Sequence, residues 1–231
     1  MKPVILRNTL ILSMVFATVL SCSRKYYTNS YFDQQTAHHR VIAVLPAEMV
    51  FTGVQPKNLT PESIAQIEEQ ESKDFQVALY NSILQYANSR KYYTTVNLQD
   101  FSTTQRLLNE NNISVRDAWH KSDLELTKIL NVDAVVRMRV QKKRYMSDVA
   151  SYGVDIARQI GYETGVLKRI PIPGRLGRTN DIYATCALVS NGQTLWNNNY
   201  KSASDWNNPA NEIIENIADN FGRNFPYKQR R

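Results

Sequence analysis

From Arg40 onward the apolar positions change period several times, and each change marks an element. Arg40 to Leu45 (RVIAVL) is a nearly continuous β-branched run closed by Pro46, which predicts a first strand buried on both faces. Thr60-Pro61-Glu62 supplies an N-cap with Pro at the first helical position. Phe75, Ala78, Leu79, Ile83 and Tyr86 then recur at helical spacing, so a long helix is expected to about Ser89. Tyr92 to Leu98 (YYTTVNL) is aromatic and β-branched, a second strand. Thr103 to Asn111 reads as a helix. The pairs Ser114 with Asp117 and Ser122 with Glu125 are capping boxes, the second opening a helix that ends near Asn131.

Between Asp133 and Val140, Val136, Met138 and Val140 alternate with Arg137 and Arg139, the pattern of a strand with one face in solvent. Ile182 to Val189 and Thr194 to Tyr200 flank Asn191-Gly192, which accept the positive φ of a type I′ hairpin turn. Pro209 opens a last helix with Ile213, Ile214, Ile217 and Phe221 on one stripe. Crossover and hairpin connections are mixed in this order, which predicts an α/β (α+β) fold: a mixed β-sheet with packed helices, one long N-terminal helix, and a C-terminal β-hairpin plus helix.

The segment 147–180 stands apart as an insert. Behind Ser147 as N-cap, Val149, Ala150, Gly153, Val154, Ala157, Ile160 and Gly161 form one helical stripe of mainly small residues. Gly153, Ala157 and Gly161 are therefore candidate interface positions, with packing on the chain's own sheet an alternative of at least equal weight. Ile170-Pro171-Ile172-Pro173-Gly174 lacks the donors of an interior strand, so a short helix and a stiff basic loop are expected here, not a transmembrane hairpin.

The N-terminus carries a different signal. Lys2 and Arg7 precede an apolar run from Leu10 to Leu20, the proportions of a secretion signal and too short to span a bilayer, which takes about 20 residues. Val19-Leu20-Ser21-Cys22 then resembles the lipobox of bacterial lipoproteins, with Val19 where Leu is usual and Leu20 where a small residue is usual. The resemblance implies cleavage before Cys22 and acylation of that residue, and several acyl chains hold a protein durably to a membrane. Only Cys186 remains elsewhere, so a disulfide framework is not indicated. The expected organisation is a signal peptide at 1–21, a lipidated flexible tether at 22–39 and a periplasmic domain at 40–231.

By the family's sorting rule, Ser23 after the cysteine favours the outer membrane, with the domain expected to face the periplasm. Loss of the signal lowers the formal charge from +7 to +5 by removing Lys2 and Arg7. That mild excess suits anionic surfaces and does not indicate nucleic acid.

The element order, with Val41-Ile42-Ala43-Val44-Leu45-Pro46, Leu130-Asn131-Val132-Asp133-Ala134-Val135-Val136 and Asn191-Gly192-Gln193-Thr194-Leu195-Trp196, resembles the periplasmic domain of CsgG/LpoB-type lipoproteins across roughly residues 40 to 225. The resemblance implies a non-enzymatic role: a membrane-anchored accessory or assembly module that binds an envelope protein partner, with an oligomeric outer-membrane secretion channel subunit as the alternative. Homo-oligomers are consistent with either. Asn131 stands where the family has Gly, and Asn also accepts a left-handed helix terminus.

A search for chemistry yields little to set against this. The sequence holds no G-x-S-x-G, H-E-x-x-H, phosphate-binding glycine loop or C-x-x-C, and no cofactor is expected. His38 and His39 are neighbours on the expected tether, and His120 lies in a polar junction without a nucleophile or base at useful spacing. Glu68, Glu69 and Glu71 read as the solvated face of the long helix, and Cys186 as a buried thiol. A hydrolase of the envelope is the least favoured class. Among the cations, Arg137, Arg139, Arg175 and Arg178, with Lys142-Lys143-Arg144, Lys168 and Arg169, are either anion contacts or a solvated edge, the two readings weighing equally.

Overall fold

A computed structural model describes residues 26–53, 60–87, 89–144, 178–205 and 210–231; the signal segment, Cys22 and most of the insert, including Gly153, Ala157, Gly161 and Arg175, lie outside the described residues. The described sheet is built around β6 (Ala134–Arg144), whose alternating side chains divide it into two faces. Along one edge of β6 lie β2 (Val41–Val44) and β3 (Glu48–Gly53), end to end and both parallel to it. Leu45 continues the pairing with its N–H on the Val136 carbonyl at 3.0 Å, and Pro46, which has no donor, marks the break between the two strands.

On the other edge β7 (Arg178–Ser190) pairs antiparallel with β6 and turns through Asn191 (φ 51) and Gly192 (φ 73) into β8 (Gln193–Asp205). A short β1 (Tyr26–Thr28) adds to β8, and β5 (Asn97–Leu98) adds to β2, giving the order β1-β8-β7-β6-β2-β5. Parallel and antiparallel pairs thus share one sheet, the mixed α/β architecture expected from the element order.

Ile42, Val44, Val136, Met138, Val140, Ile182, Ala184, Cys186 and Leu188 point to one face and are covered by α2 (Pro61–Ala87) and α6 (Ala210–Arg223). Phe75, Leu79 and Ile83 of the first helix and Ile217 and Phe221 of the second complete this core. Burying each such side chain contributes about 2 kcal/mol. Gly222 lies where the two helices approach closely: a Cβ there would sit 2.3 Å from Ser82 Oγ and 2.8 Å from its backbone carbon. The opposite face carries Ala43, Leu45, Val135 and Val189 under α3 (Phe101–Glu110), α4 (Val115–His120) and α5 (Asp123–Leu130). Asn131 ends the last of these in the left-handed conformation (φ 53).

Two expectations are corrected. Residues 26–39 are not an irregular tether: Tyr26–Thr28 is strand β1, and α1 (Phe32–Thr36) buries Phe32 against Tyr227, ring centroids 5.5 Å apart. The run Tyr92 to Leu98 is not one strand. Its first part is β4 (Tyr92–Thr94), which leaves the main sheet to pair with β9 (Lys228–Arg230), and only Asn97–Leu98 returns as β5.

Candidate functional site

Three places where polar side chains meet among the described residues bear on function. The first is a hydrogen-bonded chain at the hairpin end of the sheet. Asp133 accepts from the backbone N–H groups of Arg40 (2.7 Å) and Val41 (2.9 Å), fixing the start of β2. Burial pushes its pKa up, but these two donors together with the neighbouring basic groups outweigh that, so the carboxyl titrates below the ordinary range. Ser190, almost fully buried, donates its hydroxyl to the Asp133 carbonyl at 2.8 Å and lies 3.3 Å from His39 Nε2. Tyr227 OH lies 2.5 Å from His39 Nδ1.

Hydrogen-bond direction decides what this chain can do. The single Ser190 proton is committed to a carbonyl, so His39 Nε2 donates to Oγ and Nδ1 accepts from Tyr227. Burial lowers the His39 pKa and raises that of Tyr227, which keeps the imidazole neutral and the phenol protonated, in agreement with that assignment. The basic nitrogen therefore faces Tyr227 and not the serine, the reverse of what a general base activating a nucleophile requires. The cluster is a clasp tying the N-terminal segment to the hairpin end and to the residue before β9.

The second place is Arg137. Its guanidinium pairs with Asp123 and donates to the carbonyls of Ala118 (3.3 Å), Trp119 (3.1 Å) and Lys121, so its donors are spent on the end of α4. Arg139, its neighbour on the same strand face, has a side chain 60% exposed and 3.6 Å from Glu48. The two arginines proposed as one anion contact are thus unlike: the first caps a helix, the second reaches solvent. Arg178 is the first residue of β7.

The third place is a groove of about 650 Å³ on the outer side of the α2/α6 pair. Val77, Ala78, Ile214 and Ala218 give it an apolar floor, and Glu71, Asp74, Glu215 and Asp219 line its walls with no Lys or Arg among the lining residues. The Gly222 crossing lets the helices meet closely at one end, and the groove opens away from it. Ser82 and Tyr86 each donate to Asp219 at 3.1 Å, Gln70 donates to Asp74 at 2.8 Å, and Lys142 reaches Glu71 at 3.3 Å from below.

Glu68, Glu69 and Glu71 are therefore not a uniformly solvated face. Glu68 and Glu69 pair with Arg116 of α4, whose guanidinium also stacks on Trp119 at 5.2 Å, and Glu71 belongs to the groove wall. Asp74, Glu215 and Asp219 were not singled out from the sequence. The available signal was helical spacing, three apart for Glu71 and Asp74 and four apart for Glu215 and Asp219, which sets each pair on one helix face.

Among the described residues no three His, Cys, Asp or Glu side chains are grouped to hold a metal, and no helix is long and apolar enough to cross a membrane. No protein-family model matches the sequence, and no curated protein does. Among solved structures the chain is similar to the LpoB C-terminal domain from Salmonella enterica, at 8% identity and a TM-score of 0.34 over 75% of this chain and 93% of that one. It is also similar to lipoprotein GNA1162 from Neisseria meningitidis (13% identity, TM-score 0.41, 78% and 94% covered) and to a PelC dodecamer from Paraburkholderia phytofirmans (8%, 0.39, 80% and 87%).

Proposed function

We propose that this chain is a membrane-anchored envelope lipoprotein, held through Cys22, that works without catalysis by binding a partner protein in the α2/α6 groove. The observation that carries the reading is the groove itself, an apolar floor flanked by four acidic side chains with no Lys or Arg among its lining residues. Such a surface suits an amphipathic segment that lays apolar side chains on Val77, Ala78, Ile214 and Ala218 and extends Lys or Arg toward Glu71, Asp74, Glu215 and Asp219. Opposite charges on the rims set the register and speed of encounter, while the buried floor supplies most of the affinity. The Ser190–His39 pair supports the same conclusion from the other side, because its proton arrangement does not produce a nucleophile.

The test is site-specific photocrosslinking in the cell from Val77, Ala78 and Ile214, with Glu125 on the opposite helical layer as control. We expect one envelope protein to be captured from the groove positions and not from Glu125. Asp74→Lys with Glu215→Lys, both exposed and neither in a described ion pair, should remove that capture while leaving thermal unfolding within a few degrees of wild type. Equal capture from all positions, or substrate turnover by the purified chain that survives these substitutions, would overturn the reading.

A further inference from the structure

Beyond the groove, we propose that the small β4/β9 sheet and the segment docked beside it form a second membrane contact, taking anionic lipid headgroups. This rests on the lipoprotein reading for which membrane is met, and it starts from reach. The folding of residues 26–39 leaves only four peptide steps from Cys22 to Tyr26, about 14 Å at full extension. A domain held that close lies against the bilayer, so a surface near the N-terminal segment must meet headgroups.

The surface near that segment has suitable chemistry. Phe32 of α1 packs on Tyr227, and His39 bonds the same ring's hydroxyl, so the N-terminal segment sits directly beside the entry to β9. The two strands and their approaches carry Arg90, Lys91, Arg223, Lys228, Arg230 and Arg231, with no Asp or Glu from 88 to 99 or from 220 to 231. All but Lys228 are exposed, and none of the six forms an ion pair with a carboxylate among the described residues.

Of the seven large apolar side chains exposed among the described residues, four are tyrosines of these two neighbouring segments: Tyr26, Tyr27, Tyr31 and Tyr93. Unpaired cations beside exposed tyrosines match the headgroup region, where the rings take the interfacial layer and the cations the phosphates. The cations are held for this by their neighbours: Lys228 lies over the Tyr92 ring at 4.8 Å and Arg223 over Tyr86 at 5.2 Å, and pairing of Tyr92–Thr94 with Lys228–Arg230 fixes the two basic strands side by side.

The experiment reconstitutes the full chain purified from cell membranes, with the state of Cys22 read from its intact mass, into vesicles of phosphatidylcholine alone or with 30% phosphatidylglycerol, and follows hydrogen exchange in peptides covering 88–95 and 224–231. Each basic residue near an anionic surface raises occupancy about fivefold. We therefore expect protection on the phosphatidylglycerol vesicles only, lost in 0.5 M NaCl. It should also be lost when Arg90, Lys91, Arg230 and Arg231, whose side chains make no described hydrogen bond, are all changed to Gln. Unchanged thermal unfolding of that variant excludes misfolding. Equal protection on both vesicle types, protection only when a soluble anionic wall polymer is added, or none at all would overturn the proposal. Intact mass separates the two readings: an unacylated Cys22 with protection intact sinks the anchor alone, and an acylated Cys22 without protection sinks the patch alone.

Discussion

Replacing Arg137 with Met tests whether this arginine holds the fold or serves an external anion. Met keeps much of the side-chain volume and removes every donor. Four acceptors then lose a partner: Asp123 and the carbonyls of Ala118, Trp119 and Lys121. A hydrogen bond to a charged group contributes about 1.5–3 kcal/mol, and the side chains of Arg137 and Asp123 are only 25% and 21% exposed, so water re-solvates them incompletely. Three of the four acceptors are carbonyls that can in part turn to solvent, which brings the expected loss to about 3 kcal/mol. In a domain of this size that lowers the unfolding midpoint by roughly 6–12 °C.

Urea denaturation of wild type, Arg137→Met, Asp123→Ala and the double variant gives both the loss and the coupling between the pair. Arg139→Met, on the same strand face but exposed, should change stability by less than about 0.5 kcal/mol. If Arg137→Met proves as mild as Arg139→Met, or if millimolar phosphate stabilises wild type and not Arg137→Met, the helix-end assignment is wrong and the anion reading returns.

Two further outcomes are expected. Gly222→Ala forces α6 off α2 at the Ser82 contact and should cost about 1–3 kcal/mol by urea denaturation, with Ser82→Gly restoring part of the loss; an Ala variant as stable as wild type would show the crossing to be looser than described. Because burial lowers the His39 pKa in the fold, the unfolded chain binds the proton more readily, so its stabilising contribution is complete above about pH 6.5 and declines as pH falls from there toward the lowered value. His39→Gln should flatten the pH dependence of the urea midpoint in that window, and an unchanged slope would remove His39 as its source.

How much was legible in the sequence follows from how local each cause is. The long helix, the Asn191-Gly192 hairpin and the central strand carry their reasons within a few residues, and Asn131, Ser114 and Ser122 state their caps directly. Pro46 looks like a terminator in the sequence, which hides β3, whereas here it only interrupts a pairing that resumes with Glu48 opposite Arg139. β1 and β9 are three residues each, too short to show a period, and their existence depends on an edge of β8 and on β4 that lie far away in sequence.

The same contrast holds for the candidate site. Alternation placed Arg137 and Arg139 on one face correctly, but whether a guanidinium meets a helix end or solvent depends on where α4 and α5 land. Likewise the acids of α2 were visible one by one, and their pairing with Glu215 and Asp219 across a groove was not, because it depends on the close crossing at Gly222.

The docking of the N-terminal segment changes what the rest of the molecule is free to do. On the proposed attachment through Cys22, an extended chain from Ser23 to His39 would let the domain roam to about 55 Å from that residue. With β1 paired to β8, Phe32 set against Tyr227 and His39 bonded to both Tyr227 and Ser190, most of that length is spent inside the fold. These contacts are individually modest: three residues of strand, one buried ring and two hydrogen bonds to a neutral imidazole. Each also depends on the others for position, since Tyr227 receives both Phe32 and His39. Protonation of His39, which its burial opposes, is therefore the condition that weakens these contacts together.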